Sequence, residues 1–303
     1  MNKIITLISF CFIFLFNNGF SQKLNYETTS PWFWGLNVGA TWNTVDVKNQ
    51  TSYGWGATLG RSFNYDYGNF FSFDIRARYL GGTWMGLDND STSLSNYNPT
   101  NQTTGFPLQG YKDEHGFTVN NFRTKAHEAD LELVIHLNRL TEKTGLDPYI
   151  FGGVGFTWYN TKSNLFNDAT DSLYNYSALT DFGTGTVKPL LDDSYETYLN
   201  GPTNKFDVAF MPHVGFGIGY YFGPRFSMGL EHKTTFTLAD QFDGVLNPVG
   251  DYENDWYHYT SIYFRHHFKW RGAPTGPIEQ PDPTTNNLNG GTGNCQKPII
   301  RIN

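Results

Sequence analysis

Ten ionisable residues recur at every second position in four segments: Asp74, Arg76 and Arg78; Glu128, Asp130 and Glu132; Glu231 and Lys233; and Arg265, with Lys269 further on. In an extended chain this spacing puts each set on one face. Clustered carboxylates can perform acid–base chemistry. Here basic residues are interleaved with the acids, and no nucleophile or lid accompanies them. The set reads as an ion-pair plug, because an unpaired charge in a dry interior costs several kcal/mol. The arginines of one segment are expected to meet the carboxylates of the next, with Arg265 reaching across a narrow interior.

The histidines support metal or hydrolytic chemistry less well. His266 and His267 are adjacent, so in a strand they face opposite ways and cannot chelate one ion together. His232 and Thr234 share a face, as a lipid hydrolase would need. The hydroxyl of such an enzyme should be a serine, and no orienting carboxylate is apparent. Asp240, Asp243, Asp251 and Asp255 could offer oxygen ligands to calcium, but they lack a fixed loop spacing and are expected to form a solvated acidic loop. GxSxG, HExxH and phosphate-loop motifs are absent. No catalytic residue, metal or cofactor is expected.

The charged faces belong to segments with a period of two. From Phe206 to Phe222 the alternate residues are Phe206, Val208, Phe210, Pro212, Val214, Phe216, Ile218, Tyr220 and Phe222, and those between are mostly small or polar. This is a strand pattern. One apolar face with aromatic ends, opposite a small or polar face, suits lipid outside and a narrow lumen inside. Lipid offers no partner to a sheet edge, so such a sheet must close. Seven further segments alternate likewise, beginning near Trp32, Tyr53, Phe71, Glu128, Ile150, Phe226 and Trp256. The phase of the one at Ile150 is blurred by glycines. Connections after the second, fourth and sixth segments are short: about 64–69, 138–147 and 223–225. Those after the first, third, fifth and seventh are longer: about 43–52, 81–124, 160–205 and 239–255. The fold class is all-β: an eight-stranded antiparallel transmembrane β-barrel with long outer loops and short periplasmic turns.

Composition agrees with this. Hydrophobic residues make up 39% of the 303 and mean hydropathy is -0.46, which excludes a helical membrane bundle. Aromatic content of 17% suits interfacial girdles. The net charge of -7, with no basic tract, speaks against nucleic acid as a partner. Residues 1–21 read as a secretory signal peptide: Lys3, an apolar run from Ile4 to Phe16, and the small-residue site before Gln22. Cys11 leaves with it, so Cys295 has no partner for an internal disulfide. Residues 22–271 form the barrel. Residues 272–303 form a Pro/Gly/Asn-rich linker expected to be disordered, ending in a β-prone tail. Cys295, Ile299, Ile300 and Ile302 in that tail could add a strand to a periplasmic partner's sheet.

These features together resemble the OmpA-like outer-membrane β-barrel proteins. Pro148 to Phe156 and Val214 to Tyr220 look like strands of that superfamily, and the Phe-Ser-Gln signal end resembles secretory proteins of Gram-negative Bacteroidetes. The resemblance covers roughly residues 30–270, and no peptidoglycan-binding domain follows the linker. It implies an outer-membrane location, contact with outer-membrane lipid and lipopolysaccharide, and a non-enzymatic structural or interaction role, with envelope proteins as partners through loops and tail. The alternatives are an outer-membrane hydrolase, of lipid-deacylase or protease type, and a small-solute pore.

Overall fold

The computed structural model describes residues 29–45, 47–64, 69–88, 92–93, 117–170, 172–176, 179–199, 206–223, 225–237, 242–243 and 255–269. The expected signal peptide and the tail with Cys295, Ile299, Ile300 and Ile302 lie outside them.

Eight long strands carry the fold: β1 (Thr29–Thr44), β2 (Ser52–Phe63), β3 (Phe71–Leu87), β4 (Asn121–Leu137), β5 (Leu146–Ser163), β6 (Asp207–Gly223), β7 (Phe226–Phe236) and β8 (Trp256–Lys269). Each pairs antiparallel with the next, and β8 pairs with β1 from Trp256↔Thr44 to His267↔Phe33. The sheet therefore closes into a barrel. The β1–β8 register shifts between Thr29 and Phe33, around Pro31, which has no N–H to give to the ladder.

Side-chain alternation decides which face is which. Leu36, Val38, Leu131, Ile150, Phe156, Phe216, Leu230 and Ile262 point outward and form a continuous apolar belt, with Val38 62% and Phe216 61% exposed. An apolar surface of that extent is far beyond what a protein in water carries; it is what a lipid-facing barrel wall requires. No described helix is long and apolar enough to cross a membrane. The blurred phase of β5 resolves with Ile150, Val154, Phe156 and Trp158 outward and Tyr149, Phe151, Thr157 and Tyr159 inward.

The connections depart from expectation in three places. The turn after β4 holds a short helix, α1 (Asn138–Thr144), stopped by Gly145 at φ 75°, whose N–H donates to the Thr141 carbonyl at 2.9 Å. A left-handed residue at that point is a common helix stop and favours glycine. At the long-loop end, β3, β4 and β5 run further than the alternation indicated, because register pairing continues through Gly86↔Phe122 and Arg123↔Lys162. Finally, the connection after β7 does not only face outward: Phe242 and Asp243 are buried.

Candidate functional site

The closed register brings the inward charges of β3, β4, β7 and β8 into one layer. Arg76 and Glu132 are cross-strand partners, and the Arg76 guanidinium pairs with Glu132 and, at 2.9 Å, with Glu231. Arg78 pairs with Glu132 at 3.1 Å and with Glu231. Two guanidinium groups thus clamp two carboxylates from opposite sides of the lumen. Lys233 pairs with both Glu128 and Asp130. Arg265 pairs with Asp74 at 3.1 Å rather than with any carboxylate of β4 or β7. The reason is its height: Arg265 lies near the short-turn end of β8, level with Asp74. All nine of these residues are buried. Lys269 pairs through its backbone with Thr29 at the end of β8.

Several residues of this layer were not singled out from sequence. His136 stands between two carboxylates, Nε2 at 3.0 Å from Asp74 and Nδ1 at 2.8 Å from Asp147. An imidazole satisfies both only by donating from both nitrogens. His213 Nε2 approaches Glu132 at 3.1 Å, and the Tyr149 hydroxyl donates to Glu231 at 2.8 Å. Phe151 lies under both guanidinium groups, 4.6 Å from Arg76 and 5.2 Å from Arg78, and Phe33 lies 4.5 Å from Arg265. Space for the layer comes from glycine. A Cβ at Gly155 would run into Asp130 Oδ1 and lie 2.8 Å from the Ala129 carbonyl. The signal available in sequence was parity: each of these residues has the inward phase of its strand.

Asp130, Glu132 and His213 present ligand atoms within 4.8 Å of one another. A dication there would have to displace Lys233 from Asp130 and two guanidinium groups from Glu132. The trio is better described as part of the ion-pair layer.

Toward the long-loop end an aromatic layer follows. The Phe242 ring stacks on Tyr257, with centroids 4.5 Å apart, and meets the edge of Trp84 at 5.9 Å. Its carbonyl accepts from the hydroxyls of Thr124 at 2.7 Å and Thr161 at 2.9 Å, and its N–H donates to Asp255 Oδ2 at 2.9 Å. Asp243 and Asp255 are thus buried, not part of a solvated acidic loop, because the backbone of this segment enters the barrel mouth. Asp240 and Asp251 lie outside the described residues.

Beyond the mouth, Leu87, Val119, Tyr174, Tyr176, Val187 and Leu191 form a second apolar cluster. In the same loop the Asp192 carboxyl is held well below the usual carboxylate range, first by the backbone N–H of Asp168 and then by that of Ser194. Burial pushes the Tyr195 hydroxyl up to about 12.

On the outward face, Thr234 Oγ1 lies 3.3 Å from His232 Nε2 and 3.0 Å from His258 Nδ1. Trp42 stacks on His258 at 3.9 Å. The other ring nitrogens meet Thr260 at 2.9 Å and Thr44 at 3.1 Å. Among the described residues, no ion pair joins a carboxylate to His232 or His258.

No family model matches the chain, and no curated protein matches it. Among solved structures it is similar to Neisserial surface protein A, at 8% identity and a TM-score of 0.41, covering 79% of this chain and 99% of that one. It is also similar to the outer membrane protein OprG from Pseudomonas aeruginosa, at 10% identity and a TM-score of 0.32, covering 80% and 99%. The outer membrane enzyme PagL matches at 14% identity and a TM-score of 0.30, covering 77% and 98%. At these scores the fold rests on the chain's own strand register rather than on any one likeness.

Proposed function

We propose that the protein is a sealed outer-membrane barrel of the OmpA-like kind, acting without catalysis as a scaffold for partners. The observation that carries this reading is the filled lumen: a layer of paired charges, roofed by Phe242, Trp84, Tyr257 and Tyr159. A solute would have to break buried ion pairs to pass, which argues against a pore. A rigid barrel carrying long loops is a common way to present binding surfaces. In this reading the long-loop end faces outside, the short turns face the periplasm, and the tail with Cys295, Ile299, Ile300 and Ile302 pairs with an envelope protein there. Export through the signal peptide of residues 1–21 belongs to the same proposal.

The test is co-purification from native outer membrane. Deleting residues 272–303 should leave a barrel with heat-resistant gel mobility and release a periplasmic partner. An unchanged set of co-purifying proteins counts against the tail. The competing hydrolase reading draws on Thr234 between its two imidazoles. If purified protein cleaves lipid or peptide, and Thr234→Val abolishes that cleavage, the non-catalytic reading is wrong.

A further inference from the structure

Along β4 and β5 the outward face changes character in a fixed order towards the long-loop end. Leu131 partners Val154, Ala129 partners Phe156, His127 partners Trp158, Lys125 partners Asn160, and Arg123 partners Lys162. The steps run from aliphatic to aromatic to cationic. Leu131 and Phe156 are 58% and 53% exposed, and His127 Nδ1 is tied to the Tyr79 hydroxyl at 2.8 Å. Aromatic residues at this level are what a barrel places at the lipid–water boundary. The cations come immediately beyond it.

Arg123 directly opposite Lys162 is an unfavourable arrangement in itself, since like charges facing across a strand pair destabilise a sheet. Lys125, diagonal to Lys162, adds a third positive charge within about 8 Å. Among the described residues no ion pair forms to any of the three. Two carboxylates of the adjoining loop are engaged with that loop's own backbone and hydroxyls, while Asp193 lies near enough to act on the Tyr195 hydroxyl together with Arg123. Asp192 accepts from the N–H groups of Asp168 and Ser194, and Glu196 from the Leu165 N–H and the hydroxyls of Ser194 and Thr197. In a chain of net charge -7, the cluster is offset by ring faces and one backbone carbonyl rather than by a carboxylate in ion-pair contact among the described residues.

The cations are also held in place. The Arg123 guanidinium lies 4.1 Å from the centre of the Tyr195 ring and donates to the Ser194 carbonyl at 3.2 Å. The Lys162 ammonium lies 4.1 Å from the Tyr198 ring. Tyr195 has φ 48°, a left-handed conformation that is strained for an aromatic residue and persists only where its surroundings enforce it. Thr197 and Tyr198 are fixed to Ser163 and Lys162 by strand pairing. The ring contacts and the strand pairing hold these two half-buried cations beside Lys125, which is exposed.

We infer that Arg123, Lys125 and Lys162 form a binding site for the phosphate headgroup of a membrane lipid whose acyl chains lie on the belt below. The ladder matches such an amphiphile step by step: chains against Leu131, Val154 and Phe156, the boundary at Trp158 and His127, phosphate at the cations. A free anion would use the cations alone and has no use for the belt. The inference rests on the reading of the barrel as membrane-spanning, and it names the lipid chemistry that one sector of the wall recognises.

The test uses the full chain in neutral detergent, titrated with lipid A carrying two phosphates, with dephosphorylated lipid A, and with inorganic phosphate. Native mass spectrometry reads retention. Lipid A is expected to bind, weakening about fivefold for Lys125→Gln and on the order of a hundredfold when Arg123→Gln and Lys162→Gln are added. Dephosphorylated lipid A should not be retained, and inorganic phosphate should not displace the lipid at equal concentration. Equal retention by the triple variant or of the dephosphorylated lipid would overturn the site, and so would displacement by inorganic phosphate. Lys125→Gln touches an exposed side chain, so it keeps the test valid if the triple variant misfolds. Flotation with outer-membrane vesicles separates the two failures: a barrel that floats but ignores phosphate refutes only this site, whereas one that does not float refutes the membrane reading as well.

Discussion

Replacing Lys233 by Met should destabilise the barrel more than any other single change in the charge layer. Arg76 and Arg78 share Glu132 and Glu231, so losing one guanidinium still leaves a cation on each carboxylate. Glu128 and Asp130 share the single ammonium of Lys233, and the next approach to Asp130, from His213 Nδ1, is 3.9 Å away. The three side chains are each no more than 2% exposed. Removing one partner of a fully buried pair costs about 3–5 kcal/mol, because the other charge is left uncompensated. Here two are left, so Lys233→Met should fall at the upper end of that range. Methionine keeps the length of the lysine stem, so a packing defect contributes little. The check is urea unfolding in lipid vesicles, followed by gel mobility without heating. A second variant isolates the cause: Glu128→Gln and Asp130→Asn, added to Lys233→Met, remove the orphaned charges and should recover most of the loss. A cost under about 1 kcal/mol, the size expected of an exposed pair, would refute the buried plug. A combined variant as unstable as the single one would refute the electrostatic explanation.

Other outcomes follow from the same geometry. Phe242→Ala removes a ring packed on Trp84, Tyr257 and Tyr159 and should cost about 3–5 kcal/mol, read as lost amide protection at the mouth, while conductance stays at background because the ion-pair layer lies below. Gly155→Ala drives a Cβ into Asp130 Oδ1 and should destabilise by about 1–3 kcal/mol; Gly152→Ala, whose new Cβ would lie 3.7 Å from the His213 carbonyl, should be nearly neutral in the same unfolding assay. Because the folded Asp192 carboxyl sits below its unfolded value, its contribution is complete above about pH 4 and is lost as pH falls towards the folded value. Hydrogen exchange should therefore show falling protection of the Asp168 and Ser194 amides on acidification, and Asp192→Asn should reproduce that loss near neutral pH.

How much of this was legible in the chain divides along physical lines. Strand parity depends only on local alternation, so the inward and outward faces could be read directly, from Phe206–Phe222 to the charges of β3 and β4. Partner choice depends on which residues share a level in the closed barrel, and alternation carries no information about that. Arg78 is the register partner of Asp130, yet it turns to Glu132 and Glu231 because Lys233 from β7 already holds Asp130. Arg265 finds Asp74 by height alone. His136 and His213 had the inward phase, but nothing in sequence says that His136 stands between Asp74 and Asp147, since Asp147 opens the next strand beyond a helical turn. Phe242 was hidden more deeply. A long polar connection gives no periodic signal, so the return of one aromatic into the mouth follows only from the hydroxyls of Thr124 and Thr161 and the carboxylate of Asp255 that receive it.

Ionic current through the purified, full-length protein in a planar bilayer tests the central claim most directly. A lumen filled by paired charges and roofed by Phe242 predicts insertion without unitary conductance steps above the bare-membrane baseline in concentrated potassium chloride. Reproducible steps from the wild-type chain, with heat-resistant gel mobility confirming the folded barrel, would contradict the sealed-scaffold account.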